Sequence, residues 1–112
     1  VYPLDHWEIN EGDLCEKGSQ LRPFIVWFGE AVPKMIPAMK MASTADFFLV
    51  LGTSMQVYPA ASLIDYVPIS SQKYLIDPAQ PDFSLPRNLT FIQKRATEGM
   101  ALFTQLILDQ IA

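Results

Sequence analysis

The residues best suited to bind a ligand are Gly52, Thr53, Ser54, Asp77 and Ala96. Each of them follows a predicted strand. In open parallel sheets, ligands bind beyond the carboxyl ends of the strands. At such an edge a glycine allows the backbone to approach a ligand closely, and the two hydroxyls offer hydrogen bonds. A carboxylate can accept both hydrogen bonds of a ribose diol, and a small alanine leaves room for a flat base. The pattern predicts a nucleotide site along one edge of a sheet.

Each of these residues also has a purely structural interpretation. Gly-Thr-Ser is a common loop tripeptide, and Asp77 precedes Pro78, a pair that often initiates a turn. Ala96 alone carries no signal. The residues by themselves therefore leave nucleotide binding and ordinary loop formation open as alternatives.

The elements that must position these residues alternate between strands and helices. Short β-branched, aromatic or aliphatic runs predict strands, and apolar residues spaced i, i+3, i+4 and i+7 predict helices. The predicted order is strand 24–28, helix from Pro33, strand 47–51, helix from Pro59, strand 73–76, strand 89–92 and helix 97–111, with Met100, Phe103, Ile107 and Ile111 towards the core. This order predicts an α/β fold, a Rossmann-like, mostly parallel sheet with flanking helices.

Composition limits the classes of protein to consider. The chain has 112 residues, of which 50% are hydrophobic and 18% charged, enough for one modest core and unlike a disordered segment. A net charge of −4 gives no reason to expect nucleic-acid binding, and no apolar run is long enough to cross a membrane. A single cysteine excludes an internal disulfide framework, so a cytoplasmic setting is expected. The start at Val1 resembles the middle of a longer chain.

Two longer motifs occur in sequence. Residues 21–30 read Leu-Arg-Pro-Phe-Ile-Val-Trp-Phe-Gly-Glu, and residues 52–60 read Gly-Thr-Ser-Met-Gln-Val-Tyr-Pro-Ala. Together they closely resemble the second half of a sirtuin, the family of NAD-dependent protein-lysine deacylases. The resemblance implies the C-terminal part of an NAD-binding, Rossmann-like domain over residues 21–112, and a remnant of the small zinc-module-like domain over residues 1–20.

The resemblance assigns the candidate nucleotide residues to NAD. It implies that the ribose and phosphates contact Gly52, Thr53 and Ser54, that the adenosine ribose is bordered by Asp77, Pro78 and Ala79, and that the adenine is bordered by Ala96. In this family the position of Asp77 is usually Asn, so this chain adds a negative charge near the pyrophosphate.

The resemblance also implies a binding surface for an acyl-lysine protein or peptide. Val26 and Phe28 would line the apolar tunnel for the acyl-lysine. The segments that would pair with the substrate peptide as an added strand contain Gly29 and Glu30 on one side and residues 55–57, including Val57, on the other.

Two departures from the family pattern bear on metal binding and catalysis. Sirtuins typically hold a structural zinc with two Cys-x-x-Cys pairs, whereas Cys15 stands alone here, so we expect no metal site. The family's glycine-rich phosphate loop and catalytic histidine have no counterpart in these residues. The catalytic histidine of the family precedes the zinc module, whereas His6 lies after the place where that histidine belongs. We therefore assign no catalytic residue and expect residues 1–112 alone to be inactive.

Three hypotheses about function follow. The first is a sirtuin deacylase, which transfers the acyl group from lysine to ADP-ribose and releases nicotinamide. The second is a non-catalytic module that binds NAD or ADP-ribose. The third is a structural half-domain that another chain completes. A truncated α/β half would expose apolar surface, so self-association is also expected.

Overall fold

The computed structural model describes all 112 residues, which form two compact units, residues 1–32 and 33–112. None of its helices is long and apolar enough to span a membrane. The predicted domain boundary after residue 20 remains a prediction. The elements, all within the second unit, are helix α1 (Met35–Ala42), strand β1 (Phe47–Leu51), a 3₁₀ helix (Ala60–Tyr66), strand β2 (Gln72–Ile76), strand β3 (Leu89–Ile92) and helix α2 (Ala96–Ile111).

The three strands form one parallel sheet in the order β1-β2-β3. Its register places Val50 beside Leu75 and Ile76 beside Ile92. Parallel neighbours need a crossover connection, which the 3₁₀ helix provides between β1 and β2. All three carboxyl ends therefore lie at the same edge of the sheet, and the predicted α/β class with a parallel sheet is confirmed.

Successive strand residues point to opposite faces of the sheet, and other elements cover both faces. On one face, Val50 and Leu75 pack against Ile64 of the 3₁₀ helix. The opposite face packs on α2 through Tyr74, Ile76, Ile92, Met100, Phe103, Leu106 and Ile107.

The helices differ from the predicted ones in four details. Helix α1 begins at Met35, two residues after the expected first residue, Pro33. The helix expected after Pro59 is a short 3₁₀ helix, which ends where Val67 turns extended before Pro68. A residue that precedes proline is disfavoured in the helical region. Helix α2 begins at Ala96, one residue early, and the core position expected for Ile111 is wrong, because this last helical residue is 63% exposed.

The predicted strand at residues 24–28 is also wrong. The first unit contains only an isolated antiparallel bridge between Leu14 and Gln20. Phe24 and Phe28 are 83% and 95% exposed, and no strand pairs with this segment. Its aromatic and β-branched composition satisfies the local strand signal, but a strand also requires a neighbour to which its backbone can bond.

Candidate functional site

The backbone makes a tight loop where it leaves β1. Gly52 has φ +62°, a left-handed conformation that favours glycine, and its N–H donates a hydrogen bond to Ile76 O at 3.1 Å. Met55 is also left-handed, at φ 58°, and donates its N–H to Thr53 Oγ1 at 3.2 Å. These bonds fix residues 52–55 at the carboxyl ends of β1 and β2, the edge that the sequence predicts for a ligand.

The hydroxyls of this loop remain available to a ligand. The Thr53 hydroxyl accepts the bond from Met55 and keeps its own proton free to donate. Ser54 is exposed and its hydroxyl forms no hydrogen bond within the chain. Both side chains can therefore donate to phosphate or ribose oxygens without breaking an internal bond.

Asp77 has a structural bond and a free oxygen at the same time. Its Oδ1 accepts a hydrogen bond from the Ala79 N–H at 2.8 Å, which closes the turn after β2. Its N–H donates to Ile92 O at 3.3 Å and so attaches the turn to the end of β3. Oδ1 therefore has the structural role expected of an Asp-Pro turn. Oδ2 forms no hydrogen bond within the chain and is free to accept one from a ligand.

A small cavity joins the two loops. It has a volume of about 130 Å³, and the predicted site residues that line it are Thr53, Ser54, Asp77 and Ala79. Complete small-molecule pockets have volumes of roughly 300–1,000 Å³. This cavity is smaller, so it can hold only part of a dinucleotide.

Three other predicted nucleotide residues do not line this cavity. Gly52 and Pro78 are neighbours of lining residues, and Ala96 lies exposed in the first turn of α2. Gln56, which the resemblance places in the substrate segment, and Asp82, which no motif marks, also line the cavity, and neither was predicted as a nucleotide residue. No local signal identifies them, because the two belong to different loops that meet only in the folded chain.

The predicted substrate residues of the first unit lie in an exposed loop. Val26 is 46% exposed, and Gly29 is left-handed at φ +83°. The Glu30 side chain is bonded to Arg22 and to the Trp27 N–H, which together lower the pKa of Glu30 to about 2. The same hydrogen bond, from the Arg22 guanidinium to the Glu30 carboxylate, raises the pKa of Arg22.

The remaining predicted substrate residue, Val57, belongs to the second unit. It is 56% exposed and precedes Tyr58, whose bond to Pro59 is cis. Val57 also accepts a hydrogen bond at its carbonyl from the Ala61 N–H, at 2.9 Å. This bond holds the carbonyl in the first turn of the 3₁₀ helix, while the Val57 side chain remains on the surface.

The titratable residues outside these loops form no metal site. No three His, Cys, Asp or Glu side chains cluster to hold a metal ion. His6 is exposed and bonded to its neighbour Asp5. The pKa of the Cys15 thiol is lowered by backbone hydrogen bonds, chiefly at Ser19. The expectation that this chain holds no metal site stays a prediction.

Comparison with known proteins identifies the family. Residues 4–59, half of the chain, match the Sir2 family, and this range includes the motif at residues 21–30 and the loop that begins at Gly52. The chain belongs to the Sir2 family. It is thus a sirtuin sequence, as its two motifs predict.

Curated sirtuins of bacteria are similar along most of this chain. An NAD-dependent protein deacylase of Bacteroides thetaiotaomicron is 45% identical over 104 residues, covering 93% of this chain and 44% of the relative. One from Helicobacter pylori is 45% identical over 96 residues, covering 84% of this chain and 42% of the relative. The chain therefore spans less than half the length of either sirtuin.

Solved sirtuin structures share the fold. A Sir2 homologue in complex with NAD has a TM-score of 0.74 and 32% identity, covering 89% of this chain and 40% of that one. Sir2Tm bound to a propionylated peptide has a TM-score of 0.68 and 27% identity, covering 86% and 42%. The Rossmann-like architecture predicted from the sequence is that of the sirtuins.

Proposed function

We propose that this chain provides part of the NAD site of an NAD-dependent protein-lysine deacylase. The observation that carries the proposal is the cavity at the carboxyl ends of β1 and β2, which brings together Thr53, Ser54, Asp77 and Ala79. The names of the two bacterial relatives and the NAD complex of a similar structure support it.

The residues of the cavity would bind and orient the cofactor. NAD, when bound, supplies the nicotinamide leaving group and the ribose that receives the acyl group. Thr53 and Ser54 donate hydrogen bonds to phosphate or ribose oxygens, and Asp77 Oδ2 accepts one from a ribose hydroxyl. Fixing the reactants in this way lowers the entropic part of the barrier.

The substrate would be a polypeptide that carries an acylated lysine. The complex of Sir2Tm with a propionylated peptide supports this class of substrate. Within the first unit, Val26 and Phe28 expose apolar side chains that suit the methylene stem of a lysine. Within the second unit, Val57 exposes an apolar side chain of the same kind. Gly29 and Glu30 would offer backbone groups to the peptide.

Binding of ADP-ribose tests the proposal without requiring turnover. We expect titration into the ¹⁵N-labelled chain to shift the amide resonances of residues 52–54 and 77–79. Ser54→Ala should weaken binding about tenfold, the loss expected for one hydrogen bond to a charged group. Ser70→Ala is the matched control, because Ser70 is also exposed and precedes β2 at the other edge of the sheet. Unchanged resonances, or equal effects of both variants, would contradict the proposal.

The same cavity also fits the second hypothesis, a module that binds the nucleotide without turnover. Release of nicotinamide in the presence of an acetyl-lysine peptide separates the two. We expect release by the complete polypeptide that contains this sequence and none by residues 1–112 alone. Binding of ADP-ribose by a complete polypeptide that releases no nicotinamide would favour the non-catalytic module.

A further inference from the structure

A second and larger cavity lies beside the candidate nucleotide cavity within residues 33–112. Its volume is about 400 Å³, against about 130 Å³ for its neighbour. The residues common to both are Gln56 and Asp82, so the two cavities adjoin. Thr53, Ser54 and Asp77, which have the proposed contacts with NAD, do not line the larger cavity, so those contacts do not account for it.

The floor of this cavity is apolar and its rim is aromatic. Ala61 and Ile64 are buried beneath it, and Met55 is partly buried at its side. Tyr58 and Phe83 expose aromatic rings at the opening, Tyr58 to 72%. Such a lining can cover the methylene stem of a long side chain and, through the ring faces, attract a cation.

Two carboxylates give the cavity its charge. Asp65, on the 3₁₀ helix, and Asp82, on the loop before β3, both line it, and no Lys or Arg does. Neither carboxylate takes part in the ion pairs of the chain, which join other residues. The cavity thus presents two negative charges that the protein itself leaves uncompensated, around an aromatic and aliphatic interior.

We propose that this cavity binds the side chain of a lysine or arginine that flanks the acyl-lysine in the substrate polypeptide. A long aliphatic stem with a terminal cation matches both the lining and the charge. Met55 and Gln56, which line the cavity, belong to the segment 55–57 expected to pair with the substrate. The identity of the polypeptide rests on the proposed function, whereas the affinity of the cavity for a cation does not.

The affinity for a cation is tested with two small probes on the ¹⁵N-labelled chain. Nα-acetyl-arginine amide should shift the amides of Gln56, Asp65 and Asp82 with millimolar affinity. Nα-acetyl-citrulline amide has nearly the same shape without the charge, and we expect at least fivefold weaker binding. Equal shifts with both probes would overturn the proposal, since the cavity would then recognise no cation.

Matched substitutions assign the effect to the cavity. Asp65→Asn and Asp82→Asn should each weaken arginine binding about threefold to tenfold. Asp109→Asn removes the same charge from the exposed face of α2, where Asp109 accepts a bond from Gln105, and should change nothing. Because all three positions are exposed, folding should be unaffected, which the amide spectra report directly. An equal loss of arginine affinity in all three variants would show that binding depends only on the net charge of the chain, and would overturn the proposed site.

Kinetics of the complete polypeptide then test the substrate assignment. An acyl-lysine peptide with an adjacent arginine should have a several-fold lower KM than its citrulline analogue, with similar kcat, and Asp65→Asn should remove the difference. An unchanged preference in Asp65→Asn would refute the substrate role. If arginine binds but ADP-ribose does not, the NAD proposal fails and the cation site stands; the reverse result rejects only the cation site.

Discussion

Arg22 and Glu30 form an ion pair with two parallel hydrogen bonds, Nη1 to Oε1 at 2.7 Å and Nη2 to Oε2 at 3.0 Å. Arg22 Nη2 also donates to Ile25 O at 3.2 Å, and Glu30 Oε2 accepts the Trp27 N–H at 3.1 Å. The guanidinium carbon lies 5.8 Å from the centre of the Trp27 ring. One ion pair thus closes the loop that carries Val26 and Phe28.

Arg22→Lys should loosen this loop although it preserves the charge. A lysine ammonium cannot make two parallel bonds to a carboxylate and also reach the Ile25 carbonyl. We expect faster hydrogen exchange at the Trp27 amide, measured by NMR. Arg87→Lys, at an exposed position that forms no ion pair, is the control. Exchange that is unchanged in Arg22→Lys would show that the loop does not depend on the paired geometry.

The pKa of Glu30 makes this loop sensitive to acid only. The pKa falls from 4.5 to about 2 because Arg22 and the Trp27 N–H bond to the carboxylate. A depressed pKa in the folded state means that the carboxylate stabilises the fold fully above pH 4.5. That contribution is lost progressively as the pH falls from 4.5 through about 2. A ¹³C titration of the Glu30 carboxyl should give a midpoint near 2, and Arg22→Gln should move it towards 4.5; equal midpoints would refute the pairing.

The sequence signals succeeded where burial is regular. The strands at residues 47–51 and 89–92 are observed at the predicted bounds. The first is an unbroken apolar run, which in a parallel sheet marks a segment that neighbours must cover, and the second is rich in aliphatic and aromatic residues. The edge that carries the candidate site followed from the same order of elements, because parallel strands bring their carboxyl ends together. Gly52 and Asp77 could therefore be placed before the structure was known.

The signals failed where contacts between side chains or between loops decide the conformation. Residues 24–28 have strand composition, but the bond between Arg22 and Glu30 holds them in a loop. Gln56 and Asp82 line both cavities because two loops meet in space. Hydrophobic periodicity reports neither an ion pair between side chains nor the meeting of two loops, so neither outcome was accessible from it.

Gly99→Ala should destabilise the chain. A Cβ at Gly99 would lie 2.3 Å from Ile76 Cγ2, in the close contact between α2 and β2. Overpacking of this kind costs about 1–3 kcal/mol, and the better helix propensity of alanine offsets up to about 1 kcal/mol. We expect a lower free energy of unfolding in urea. Ile76→Ala removes the clashing methyl, so the double variant should be more stable than the sum of the two single effects; simple additivity would show that the clash does not occur.

Asp77→Asn should preserve the turn and strengthen nucleotide binding. The Asn Oδ1 can accept the Ala79 N–H as the carboxylate does at 2.8 Å, so the free energy of unfolding should change by less than about 0.5 kcal/mol. The Asn Nδ2, in place of Oδ2, can donate to the oxygen of the ribose hydroxyl, so a contact with the ribose is kept with its direction reversed. Removing a negative charge near the expected pyrophosphate should lower the Kd for ADP-ribose about threefold to tenfold, measured by calorimetry at low salt, and less at high salt because ions screen the repulsion. Asp77→Ala loses the turn bond and the free oxygen, and should weaken both stability and binding. A Kd for Asp77→Asn equal to that of the unsubstituted chain at both salt concentrations would place the phosphates away from this residue.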